Sequence, residues 1–304
     1  MKAFKIVALV FLGIFLSLSL LVFGVALTVN QSALSADFIA DRIDEIDLVE
    51  VTDELIIEHV PEEAADFLGD LLRPVLQHTV GEIEPWLKEQ TRHGIHIFYD
   101  YIEGRSQTLG VIISLETMME SFRDNLLDAV IDSPPVELLG LNAEEIEVEF
   151  NKYYDMIEEE IPSELELDES LLGAEAVEQI ERAKQYVGYF NLGFILLIAF
   201  ILLLILLMIL VYREVRGSCR QIGFTFLGVG VVSLVGAFVA RSFAVSALAN
   251  ADMDLPATIQ AWASHTVTDV FMSLYIYSAA LTAVGIAMVI VSFFYKRDEY
   301  MDSY

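Results

Sequence analysis

His93 and His96 stand three residues apart. On a helix, that spacing puts both imidazoles on one face. Such a pair can hold a divalent metal once a carboxylate or a third histidine joins it. His59 and His78 lie in the same part of the chain, but no His-Glu-x-x-His run occurs. With carboxylates this frequent, a histidine often stands near one by chance, so ordinary polar histidines are the competing reading. The carboxylates themselves cluster: Glu144, Glu145, Glu147 and Glu149, then Glu158, Glu159 and Glu160, then Glu164, Glu166, Asp168 and Glu169. Calcium takes oxygen ligands of this kind. The glycine-centred Asp-x-Asp loop of an EF-hand is missing, so diffuse cation attraction is expected rather than a built site. A divalent cation is the one cofactor these residues suggest, and none is required. No Gly-x-Ser-x-Gly elbow, Walker loop or dinucleotide fingerprint occurs. The expectation is a protein that is not an enzyme.

The charge behind these clusters is unevenly placed. The chain has 304 residues, 46 acidic against 17 basic, for a net charge of -29. Residues 30–185 alone hold 39 acidic and 9 basic side chains, a net of -30. A domain this acidic repels nucleic acid and anionic headgroups, and it attracts cations or basic partners. Charge of this kind also serves solubility alone. Cys219 is the only cysteine, which excludes an intrachain disulfide. The acidic stretch must hold together by core packing, and about 155 residues suffice for that.

Four stretches are free of charge and long enough to cross about 30 Å of hydrocarbon: 6–36, 185–212, 221–240 and 270–295. The first follows Lys2 and Lys5 but exceeds the apolar region of a signal peptide. Gln31 and Leu34 also spoil the small-residue positions before Ala33 and Ala36, so it reads as an uncleaved anchor. Lys2 and Lys5, then Arg213, Arg216 and Arg220, then Lys296 and Arg297 fall on one side of a four-span threading. The positive-inside rule makes that side cytoplasmic. The expected organisation is a first transmembrane helix at 1–29 and an acidic extracytoplasmic domain at 30–185. A second transmembrane helix follows at 186–212, with a cytoplasmic loop at 213–220. A third helix at 221–246 leads through an outer loop at 247–267 to a fourth at 268–295 and a cytoplasmic tail at 296–304. This describes a multi-pass protein of the plasma membrane with both termini inside. Arg241 stands at the outer end of the third span and reads as a membrane-interface charge. No span carries Asp, Glu or Lys at its centre. Ala279, Ala283 and Ala287, and likewise Gly236 and Ala240, recur at packing spacing. They suit intrachain packing first and a homo-oligomer second.

The expected fold class is mainly α: four transmembrane helices plus a mostly helical acidic domain with a short two-stranded β element. Residues 38–60 should continue from the first span. Pro61 should open a helix carrying Phe67, Leu68, Leu71, Leu72, Val75 and Leu76 on one face. A separate helix should span 82–102 and end at Gly104. The Val/Ile-rich run 108–115 reads as a strand, with 164–167 as its partner. Between them, Ser114 offers an N-cap for a helix to 131. Pro134 and Pro135 mark a loop, Asn142 with Glu145 forms a capping pair, and Pro162 ends the helix that follows. From Ala174 a helix should run unbroken into the second span.

The segment Pro85-Trp86-Leu87-Lys88-Glu89-Gln90, then Tyr101-Ile102-Glu103-Gly104, the strand after it, Asn142-Ala143-Glu144-Glu145 and Ile161-Pro162 carry a resemblance. In these the chain resembles a family of uncharacterised prokaryotic four-span membrane proteins with an extracytoplasmic domain after the first span. The resemblance implies a similar layout over most of the chain and supplies no functional residues. Three functions stay open. One is a non-catalytic membrane protein whose outer domain binds a protein partner or a cation. Another is an oligomeric channel or transporter component. The last is a membrane-bound metal-dependent enzyme. The partners expected are the lipid bilayer and a protein or cation at the outer domain, with no nucleic acid.

Overall fold

The computed structural model describes residues 2–59, 62–132, 140–158, 161–212, 214–250 and 255–294. Pro61, Pro134, Pro135, Glu159, Glu160, Arg213, Lys296 and Arg297 lie outside the described residues. So do the side chains of His59, Phe67, Leu68, Leu71, Leu72, Glu158, Glu166, Asp168 and Glu169.

The elements run α1 (Lys2–Gln31), α2 (Ala36–Asp44), α3 (Leu48–His59), α4 (Glu62–Ile102), β1 (Gly110–Ser114), α5 (Glu116–Asp132), α6 (Ala143–Glu158), β2 (Glu164–Asp168), α7 (Glu169–Tyr212), α8 (Val215–Ala249) and α9 (Ala257–Phe294). They form two compact units. One holds 1–35, 186–252 and 264–304. The other holds 36–185 with 253–263.

Four helices are long and apolar enough to cross a membrane: α1, α7, α8 and α9. Lipid tails are as apolar as leucine, so such helices associate by close packing rather than by hydrophobic burial. Leu16, Leu20, Leu204, Met208, Ile222, Val229 and Leu281 form the centre, with Leu16 and Met208 fully enclosed. Phe23 stacks on Phe194 at 5.5 Å and meets Tyr277 edge-on at 5.7 Å. The Tyr277 hydroxyl donates to the Leu20 carbonyl at 2.8 Å, tying α9 to α1.

Helices α8 and α9 touch at backbone level. A Cβ on Gly285 would lie 2.6 Å from the Leu227 nitrogen, and one on Gly230 would lie 2.8 Å from the Thr282 nitrogen. The small residues noted in the sequence are on other faces. Ala279, Ala283, Ala287, Gly236 and Ala240 are all exposed on the single chain, and Gly223, Gly230, Ala237, Ser278 and Gly285 are buried instead. The expectation that the alanine stripe packs within the chain is therefore corrected. Spacing by four marks a small-residue face, but it does not say which of several faces meets the neighbour.

The acidic unit departs from the sequence reading in three places. A turn at 32–34 separates α1 from α2, and residues 45–47 separate α2 from α3, so 38–60 is not one extension of the first span. Helix α4 runs through Pro85 as a single element, where the sequence suggested two. Pro85 lacks an N–H, which leaves the Gly81 carbonyl without its helical donor. Helix α9 begins at Ala257, inside the stretch read as an outer loop.

The remaining elements follow their local signals. Gly104 (φ 77°) turns the chain after α4, a conformation that suits a residue without Cβ. Strands β1 and β2 pair antiparallel, with Gly110 opposite Asp168 and Ser114 opposite Glu164. The Asn142 side chain accepts from the Glu145 N–H at 3.1 Å, and Glu145 accepts from the Asn142 N–H at 3.0 Å, closing the capping box on α6. The break inside α7 falls at Gly173 (φ 76°), so its regular helix starts at Ala174.

A Gly285→Ala substitution forces α8 and α9 apart at a contact with no spare room. It should lower the stability of the purified chain by about 1–3 kcal/mol. Gly236→Ala, whose Cβ meets nothing within 4 Å, should match or exceed the native chain, because alanine is the better helix former by up to about 1 kcal/mol. Thermal unfolding in one lipid system compares the two. Equal losses would mean that α8 and α9 do not meet at these glycines.

Candidate binding site

The acidic unit carries an open cleft of about 580 Å³ with largely apolar walls. Helix α4 supplies one wall through Gln90, Thr91, Gly94, Ile95, Phe98 and Tyr99. These positions recur at four-residue steps and so form one stripe along the helix. The facing wall is Leu109, Val111 and Ile113, alternate residues that share one face of the extended chain and β1. Ile112 points to the other face and is exposed. Ile39 of α2 and Ile180 of α7 complete the lining.

Polar ties hold the frame. Arg92 donates to Asp41 at 2.8 Å and also bonds Asp44, which seats α2 on α4. Asp41 first, then Asp44, raises the Arg92 pKa above its ordinary value. On the opposite flank the Tyr101 hydroxyl donates to Glu181, and the Lys184 ammonium lies 3.9 Å from the centre of the Tyr101 ring. This pair anchors α7 to the end of α4. Between α3 and α4, the Gln77 amide donates to Asp53 at 2.9 Å.

The first turn of α9 joins the same unit. The Thr258 N–H and hydroxyl both donate to the Glu54 carboxylate, at 3.2 and 3.1 Å. Trp262 donates its indole N–H to the Arg42 carbonyl. A carboxylate at a helix N-terminus is favourably placed against the helix dipole. Glu54 comes from another element, so the sequence near Ala257 held no sign of it.

The histidines are placed apart from this cavity. His93 is exposed. His96 Nε2 lies 3.5 Å from Asp37 Oδ1. No third metal-binding side chain gathers with His93 and His96 among the described residues. His78 pairs with Glu82 at 3.6 Å, and the other oxygen of Glu82 accepts from Asn125 at 2.8 Å. Of the acidic clusters, Glu145 caps α6 and Glu149 bonds Lys152 at 3.2 Å. Arg241 sits on α8, and its Nε is buried without a hydrogen-bond partner. A second cavity, about 490 Å³ and more polar, lies between Glu116, Glu120, Arg123, Tyr154 and Ser163.

The helix expected over 82–102 carries no mark of the cleft in its apolar pattern. One signal was available. Gly94 stands in the middle of a long helix, where glycine is the poorest residue after proline. Comparison with family models, with curated proteins and with solved structures finds no match to the chain.

Tyr99 borders the cavity and is buried. Burial, then the nearby Glu103 carboxylate, raises its pKa above the ordinary value. An unfolded tyrosine titrates near pH 10. Below that pH both states are protonated and the contribution of Tyr99 is fully present. Above it, the unfolded chain loses the proton first, and stability falls until the pH passes the folded value. Tyr99→Phe should therefore lose less stability between pH 8 and pH 10.5 than the native chain in denaturant titrations. Identical losses would place the Tyr99 hydroxyl in water.

Proposed function

We propose that the chain is a non-catalytic, multi-pass protein of a prokaryotic plasma membrane, with the 36–185 unit outside the cytoplasm as its binding module. The cavity between α4 and β1 carries this reading. An apolar cleft with a few polar groups at its edge is the usual form of a ligand site. The orientation rests on the three basic sites at 2–5, 213–220 and 296–297. The resemblance to a four-span family in the sequence supports the same reading. A protein partner or a cation at the acidic surface fits the same module.

A channel formed by one chain has little support. Five hydroxyls of the long apolar helices bond to their own backbone: Ser17 to Gly13, Thr28 to Gly24, Thr225 to Gln221, Ser278 to Leu274 and Thr282 to Ser278. That leaves no row of hydroxyls for an ion to follow among these residues. The outward small-residue faces on α8 and α9 favour a second reading, a homo-oligomer with its path between copies. A metal-dependent enzyme at His93 and His96 lacks a third ligand among the described residues.

Orientation and binding are tested separately. Cys219 is the only thiol and stands beside the basic loop. A membrane-impermeant maleimide applied to intact cells should leave the native chain unlabelled. It should label Glu147→Cys in a Cys219→Ser background. The reverse pattern would turn the protein around. For binding, backbone hydrogen exchange of 90–99 and 109–113 should be slower in native membranes than in the purified chain in lipid nanodiscs. Equal exchange would count against any occupant.

A further inference from the structure

The cavity lining is specific in what it lacks. None of its side chains carries a charge at neutral pH. Yet the surrounding stretch carries a net charge of -30. An anion approaching the opening meets a repulsive field, and inside it finds no cation to pair with. The walls offer branched aliphatic and aromatic carbon. The polar groups are neutral and short: the Gln90 amide and the Thr91 hydroxyl, neighbours on α4.

Size narrows the choice further. An apolar cavity of about 150 Å³ takes benzene. The volume here is about four times larger, which corresponds to an occupant on the order of a dozen carbons or more. At Gly94 helix α4 lies directly against β1. A Cβ there would meet the Val111 methyls at 3.8 and 3.9 Å, an ordinary contact. Packing therefore does not demand glycine, and glycine costs the helix about 1 kcal/mol relative to alanine.

We infer that the cavity between α4 and β1 binds the single alkyl chain of an amphiphile with an uncharged, hydrogen-bonding head, the head resting against Gln90 and Thr91. This deepens the binding reading above and rests on it. An ionised head would be repelled by the acidic unit, so a long-chain alcohol should enter and the matching carboxylate should not.

The test uses the full chain in nanodiscs at pH 9 and a diazirine-bearing twelve-carbon alcohol as photolabel, with labelled peptides mapped. Label should concentrate in 90–99 and 109–113. Dodecanol should compete at least about tenfold better than dodecanoate at equal mole fraction in the bilayer. That ratio corresponds to about 1.4 kcal/mol. Gly94→Leu, whose side chain extends past the Val111 contact into the cleft, should abolish the label. Ile113→Phe, which fills the cavity from the strand side, repeats the test should Gly94→Leu fold poorly. Label in these segments that dodecanoate displaces as well as dodecanol overturns the uncharged head and leaves the binding module standing. Label there that persists in both filled variants overturns the cavity as the place of the alkyl chain. No label there in the native chain overturns the alkyl ligand, and if exchange is also equal in native membranes, the binding reading falls with it.

Discussion

Arg92 is the hinge on which the acidic unit is arranged. Its guanidinium reaches Asp41 and Asp44 across one turn of α2 and seats that short helix on α4. Helix α2 follows a turn and precedes another, so little else in its own sequence fixes where it lies. With α2 held, Ile39 becomes a wall of the cavity. With α7 held at the other end by Tyr101 and Glu181, Ile180 becomes another. The space between α4 and β1 is thus framed by charged and aromatic ties around an apolar interior. Partly exposed ion pairs contribute little to stability individually. Here they set position, and the apolar walls supply the burial.

The four helices long and apolar enough to cross a membrane solve a different problem with the same economy of groups. An unsatisfied hydroxyl in hydrocarbon costs several kcal/mol. Ser278 and Thr282 each donate to the carbonyl four residues back, which hides the polar atom inside its own helix. Such residues can then serve as small residues. Ser278, Thr282 and Gly285 line the side of α9 that α8 approaches, and α8 answers with Gly223 and Gly230.

Much of this was legible in the sequence where the signal was local. Charge-free length marked all four long helices. Valine and isoleucine marked β1, and 164–167 was expected as its partner. The Asn142–Glu145 pair announced the start of α6. Gly104 announced the end of α4, and the regular part of α7 begins at Ala174 as its pattern suggested. What stayed hidden depends on distant partners. Pro85 suggests a break, but a helix tolerates it when the surrounding contacts hold. The start of α9 relies on Glu54, far away in sequence. The face that α9 turns inward is chosen by the glycines of α8, not by its own alanines. The cavity was hidden for the same reason, since an empty volume belongs to no residue.

The bond between Glu54 and Thr258 joins positions 204 residues apart. Ribosomes add about 5–20 residues each second. Residue 258 thus leaves the ribosome roughly 10–40 s after residue 54. During that interval α3 and α4 can fold, but the Glu54 carboxylate has no helix end to receive. The acidic unit reaches its final form only when the first turns of α9 have been made. A chain cut short before Ala257 would carry an unfinished surface, with the Arg42 carbonyl and the Glu54 carboxylate lacking their donors from Trp262 and Thr258. Completion of the unit therefore waits on the first turns of α9, which lie more than 200 residues after Glu54.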